Sequence, residues 1–109
     1  MVVQINDHRL EERVLEADTP LCMMFFAYAS DQCKNLMVAL DTVEEQLKDK
    51  MEFYKINAIE NPKITAELEV DTVPTMLIYQ DGDEIARYDG MHSSEALIKK
   101  FTAVLNKKK

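Results

Sequence analysis

The stretch Ser30-Asp31-Gln32-Cys33 sets a hydroxyl and a thiol three positions apart, where an apolar run gives way to a helical repeat. Backbone N–H groups and the helix dipole converge at such a point and favour negative charge. A thiol placed there can serve as a nucleophile. Cys33 would be the third residue of the helix, so its side chain points back under the first turn and is mostly buried. A second reading asks for no chemistry: Ser30 is a good N-cap, Asp31 suits the first turn, and Cys33 is a small buried apolar residue. Local sequence leaves both open. Cys22 lies inside the apolar run and reads as inert core, and no pairing with Cys33 is expected. His8 and His92 sit beside polar residues near helix starts and read as surface groups. Two Cys and two His at these spacings match no zinc pattern, and no cofactor or metal is expected.

The other informative stretch is Val73-Pro74-Thr75, just ahead of an apolar segment. Proline lacks a ladder donor and belongs at the start or edge of a strand. Composition does not choose between its cis and trans forms.

The elements that must position these residues follow from periodicity. Residues 2–5 alternate weakly, as in a short edge strand. Asn6-Asp7 offers a helix cap, and Leu10, Val14 and Leu15 keep helical spacing through Ala17. Leu21 to Ala27 are seven apolar residues in a row, bounded by Pro20 and Ser30-Asp31-Gln32, which predicts a strand buried on both faces. Cys33, Leu36, Met37, Leu40, Val43 and Leu47 then recur every three or four residues, a helix running to about Lys50. Met51 to Ile56 reads as a strand. Asn61-Pro62 starts a short helix, with Asn61 as its cap, that ends near Val70. Thr75 to Tyr79 is a core strand, Asp81-Gly82 a hairpin turn, and Glu84 to Tyr88 the returning strand. Ser93 or Ser94 caps a last helix carrying Ala96, Leu97, Phe101, Val104 and Leu105. The order βαβαβαββα predicts an α/β domain with a mixed five-stranded sheet and helices on both faces.

At 109 residues the chain is one domain, residues 1–109. Its net charge of −7 argues against nucleic acid as a partner, and no apolar run reaches the ~20 residues of a membrane helix. Lys107-Lys108-Lys109 reads as a solvated tail. Lack of a basic, then apolar, leader predicts a cytoplasmic, soluble protein.

These segments, in this order, resemble the thioredoxin family. The resemblance runs from about Ile5 to Leu105. The family's strand ending Phe-Trp-Ala-x-Trp before Cys-Gly-Pro-Cys-Lys is matched by Phe25-Phe26-Ala27-Tyr28-Ala29 before Ser30-Asp31-Gln32-Cys33-Lys34. Lys55-Ile56-Asn57 with Asn61-Pro62 resembles its next strand and helix. Val73-Pro74-Thr75 is similar to its cis-proline loop, Gln80-Asp81-Gly82-Asp83 to its hairpin, and Gly90 to the glycine beside its active site.

The resemblance implies a thioredoxin-like fold and a place in cell redox homeostasis, with departures that bear on chemistry. The family's first cysteine attacks the partner disulfide, and the second resolves the mixed disulfide. Serine stands first here, so Ser30 is a degenerate catalytic position and Cys33 the one remaining thiol. A serine hydroxyl is not ionised near neutral pH and cannot replace a thiolate in exchange. The family's buried acid matches Met24, which removes the cost of an idle buried carboxylate. Lys55 then loses that neighbour, and its ammonium is expected to reach solvent. Ala29, Gln32 and Val38 replace a tryptophan and two prolines of the family.

Two functions follow. In the first, Cys33 forms mixed disulfides while dithiol turnover is weak or absent. A protein or peptide lies as an added strand along Val73-Pro74, with Ala29, Ser30, Gly90 and Met91 completing the groove. In the second, the same groove is a non-catalytic binding module, with Met91 as the candidate for adaptable apolar surface; Met24 and Met37 are weighed for that surface too, but read first as ordinary core packing.

Overall fold

The computed structural model describes residues 2–6, 8–10, 12 and 18–107. The expected cap residue Asp7, the helical positions Val14, Leu15 and Ala17, and Lys108-Lys109 lie outside them. Val3–Gln4 forms β1, and His8, Arg9, Leu10 and Glu12 are helical. The Asn6 Oδ1 atom accepts the Arg9 N–H at 3.1 Å, as a cap residue does.

Leu21–Phe26 is β2, and each of its six residues is 0–1% exposed. Successive strand side chains point to opposite faces. Cys22, Met24 and Phe26 therefore pack with Cys33, Leu36, Leu40, Leu97 and Phe101 on one face. Leu21, Met23 and Phe25 pack with Leu10, Ile64 and Val70 on the other. An apolar run with no polar alternation is the sequence consequence of a strand covered on both sides.

Asp31–Leu47 is α1, Glu52–Asn57 is β3, and Pro62–Glu67 is α2. Thr75–Gln80 is β4, Asp83–Asp89 is β5, and Ser94–Lys107 is α3. The sheet order is β1-β3-β2-β4-β5. β3 runs parallel to β1 and β2, whereas β4 runs antiparallel to both β2 and β5. The α/β order and the mixed five-stranded sheet stand as expected. Helices cover both faces, α1 and α3 on one and α2 with Leu10 on the other.

Boundaries differ where tertiary bonds decide them. α1 stops at Leu47 rather than Lys50, because the N–H groups of Lys50 and Met51 both turn back to the Leu47 carbonyl. α2 stops at Glu67 rather than Val70. Glu69 takes φ +55°, Glu69 N–H donates to the Ala66 carbonyl, and Val70 N–H to that of Thr65. This is a Schellman ending with glutamate where glycine is usual. Asn61 stands at the cap of α2 but makes no cap bond to it, because its Nδ2 donates to the Asn57 carbonyl at 2.9 Å. Ser93, not Ser94, caps α3, its Oγ accepting the Ala96 N–H at 3.1 Å. Asp81 (φ +55°) and Gly82 (φ +82°) make the hairpin turn, both left-handed as a type I′ turn requires.

Candidate functional site

Register alone brings the chemical residues to one end of the sheet. Phe26 pairs with Asn57, Phe25 with Thr75, and Thr75 with Asp89. The carboxyl ends of β2, β3 and β5 thus lie beside the start of β4. The loop 27–30, the Val73–Pro74 peptide and Gly90–Met91 all leave from that end. Ligand sites of open α/β sheets collect at strand carboxyl ends.

Ser30 holds φ −90° and ψ 120°, and its Oγ accepts the Cys33 N–H at 3.2 Å. The hydroxyl that stands nearest the helix head is therefore committed to capping. Cys33 is 0% exposed, and its Sγ accepts the Ala27 N–H at 3.5 Å. The thiol is folded back beneath the first turn, against the end of β2. Cys22 is equally buried, and the two cysteines are free thiols. Burial pushes the Cys22 thiol far up from its ordinary value.

The Val73–Pro74 peptide is cis. Pro74 is buried, Val73 is half-buried, and Val73 packs against the cluster that holds Cys33. The Pro74 carbonyl accepts the Gly90 N–H at 2.9 Å, which ties β5's exit to the proline loop. Gly90 has φ +79°, a left-handed conformation that side chains rarely adopt. Ala29 is exposed and Met91 is 44% exposed. Ala29, Ser30, Val73, Pro74, Gly90 and Met91 thus share one end of the sheet, with Cys33 below the surface they form.

Of the three methionines, Met91 is the exposed one, and Met24 and Met37 follow the core-packing reading. Met24 is fully buried in the Cys33 cluster, and Met37 packs half-buried against it. Both are spent on the core because β2 and α1 face each other there. Lys55, paired in register with Met24, is half-buried, with its Nζ 5.9 Å from the centre of the Phe26 ring. The ammonium lies within cation–π range of that ring. His8 is exposed and pairs with Glu12 at 3.1 Å. His92 is half-buried rather than a free surface group. Its Nε2 lies 3.0 Å from the Asp89 carbonyl, and its ring meets Tyr88 edge-on. Among the described residues no group of three His, Cys, Asp or Glu is placed to hold a metal ion.

Sequence reasoning passed over Tyr28 and Ile59. Tyr28 is 57% exposed, with its ring edge-on to Phe26 at 5.0 Å and its hydroxyl donating to Gln4 Oε1 at 2.9 Å. Ile59 is 75% exposed. Its N–H and that of Glu60 donate to Asn57 Oδ1 at 2.9 and 3.1 Å. The available signal was position, since both follow strand carboxyl ends by two residues.

An α/β sheet with a thiol at a strand-to-helix junction, facing a cis-proline loop, defines a class of redox-type domain. The thioredoxin family model matches residues 1–103, and the chain belongs to the thioredoxin family, a family of redox proteins. The thioredoxin of Rickettsia typhi is 31% identical over 98 residues, covering 90% of this chain and 93% of its own. The thioredoxin of Rickettsia prowazekii is 30% identical with the same coverage. Chloroplastic thioredoxin Y1 of Arabidopsis thaliana is 26% identical over 84% of this chain and 53% of its own. The solved structure of chloroplastic thioredoxin z superposes with a TM-score of 0.87 over 94% of this chain and 93% of that one. At 24% identity that likeness shows the shared fold. Among the described residues, no helix is long and apolar enough to cross a membrane.

Proposed function

We propose that this chain is a single-thiol member of the thioredoxin family that acts in thiol–disulfide homeostasis without dithiol turnover. Ser30 occupies the place of the family's attacking cysteine, and Cys33 that of its resolving one. One observation carries the reading: Cys33 is 0% exposed with its Sγ held by the Ala27 amide, while the Ser30 hydroxyl is engaged by the Cys33 N–H. A dithiol cycle needs two sulfurs. The first displaces a thiolate from the partner's S–S bond, and the second breaks the mixed disulfide and leaves the partner reduced by two electrons. With one sulfur the sequence stops at the mixed disulfide. That bond forms only when the first turn of α1 opens and uncovers Cys33.

A partner segment would lie along Val73–Pro74, in contact with Ala29, Ser30, Gly90 and Met91. Val73 makes no backbone hydrogen bond among the described residues, so its N–H and C=O are open to an added strand. The same observation favours the second reading, a binding module that holds its partner without a covalent bond. Two free thiols fit a reducing compartment, and cytoplasm is the assignment we make. No nucleic acid, membrane or cofactor enters the reading.

Disulfide reduction of insulin is the test, with an expected rate no higher than buffer with reductant alone. A clear rate above that background overturns the proposal. Incubation with glutathione disulfide near pH 8 separates its two forms. Glutathionylation of Cys33 in the folded protein supports the mixed-disulfide form. Modification only on unfolding, with partner capture surviving Cys33→Ala, supports the binding module.

A further inference from the structure

Of the five large apolar side chains that stand exposed among the described residues, Tyr28, Ile59 and Met91 follow the carboxyl ends of β2, β3 and β5. They share the end of the sheet that carries the proline loop. The side chain of one and the backbone turn of another are fixed in advance. Tyr28 is pinned between Phe26 and Gln4, and the turn bearing Ile59 is held by Asn57 Oδ1. Ordering an apolar side chain before a partner arrives removes an entropy cost from binding.

Three acids lie next in the chain to the groove residues. Asp31 follows Ser30, Asp89 precedes Gly90, and Asp71 lies two residues before Val73. All three are exposed, and none has an ion-pair partner among the described residues. Lys34 on α1, Lys63 on α2 and Arg9, which lies with Glu60 and Asn61, are exposed bases of the same end but stand farther along the chain from the proline loop and its two neighbours or on the β1 side. The acids flank the proline loop and its two neighbours directly, on a chain whose net charge is −7.

We propose that this groove takes an extended polypeptide segment of a partner protein that carries an apolar side chain between lysines or arginines. The proposal rests on the peptide-groove reading above and adds the partner's chemistry. Val73 supplies backbone pairing, Met91 supplies apolar contact, and Asp31, Asp71 and Asp89 meet the flanking cations. Apolar contact at the centre with complementary charge at the rim is how such an interface gains specificity.

Three labelled peptides of equal length test it by fluorescence anisotropy. Each has a Val-Leu-Val centre, flanked by Lys, by Gln or by Glu. The Lys-flanked peptide is expected to bind about tenfold tighter than the Glu-flanked one at low salt, with the gap narrowing at about 0.15 M salt. Asp71→Asn with Asp89→Asn should close most of the gap and leave the Gln-flanked peptide unchanged. Met91→Ala should weaken all three alike. If the Glu-flanked peptide binds as well as the Lys-flanked one while Met91→Ala still weakens both, the basic preference is wrong and the groove stands. If no peptide binds, or binding ignores Met91→Ala, the groove reading fails and takes this proposal with it.

Discussion

The Sγ of Cys33 accepts the N–H of Ala27 at 3.5 Å, so the end of β2 and the first turn of α1 close on the thiol from two sides. The contact depends on the helix beginning at Asp31, and that start is held by the neighbouring bond from Cys33 N–H to Ser30 Oγ at 3.2 Å. A change at residue 30 therefore acts on both the helix and the sulfur.

Ser30→Ala removes the cap acceptor and should cost about 1 kcal/mol of stability, read from the urea midpoint. Ser30→Cys puts a second sulfur at the mouth of the site. It should give measurable insulin reduction, where the chain with Ser30 is expected to give none. A variant as inactive as its parent would show that more than the missing sulfur blocks turnover.

Burial holds the Cys22 thiol protonated well above its ordinary value. The folded chain then keeps a proton that the unfolded chain releases from about pH 8.5 upward. Stability from this group is complete below that pH and declines above it, by up to about 1.4 kcal/mol per pH unit. Burial also raises Tyr79 and Tyr88, whose contributions enter above about pH 10. Urea unfolding at neutral pH and near pH 9.5 should show the decline, and Cys22→Ala should flatten it.

Met24 is 0% exposed, among Cys22, Phe26 and Cys33. Met24→Asp should cost about 3 kcal/mol or more at neutral pH, because a carboxylate there loses its water. Burial raises the folded carboxyl above the unfolded value of about 4. The variant should therefore be most stable in acid and weaken as pH rises through the folded value. Lys55, paired beside residue 24, should offset part of the loss, so adding Lys55→Met should deepen it. Denaturation at pH 4 and pH 7 checks both statements.

Arg87 joins three places. Its two terminal nitrogens donate to the Glu69 and Leu68 carbonyls at 2.8 and 2.7 Å, and its Nε donates to Glu84 Oε2 at 2.9 Å. It thereby closes the end of α2 ahead of the proline loop. Arg87→Ala should lower stability by about 1 kcal/mol. Arg87→Lys should recover little, since an ammonium lacks the planar fork that reaches both carbonyls and the carboxylate. Thermal unfolding of the two variants decides this.

Much of the fold was legible because local pattern reports burial. The seven apolar residues from Leu21 foretold a strand covered on both faces, and Asp81-Gly82 foretold the hairpin. The end of α2 was not legible, because Glu69 takes a left-handed conformation that the sequence marks with no glycine. Its support comes from Arg87, eighteen residues on. The depth of Cys33 followed from its helical position, whereas the fixing of Tyr28 by Gln4 did not.

By itself the sequence determined the order of elements, the single thiol at the helix head, and the serine that leaves it without a partner sulfur. Those are matters of residue type and short spacing. Only the tertiary structure decided that Tyr28 and Ile59 stand at the same end of the sheet as Val73–Pro74 and Gly90–Met91, and that Gln4 holds Tyr28 there. Strand order arises from contacts between segments far apart in sequence. The free energy of those contacts belongs to pairs of faces, which no local period encodes.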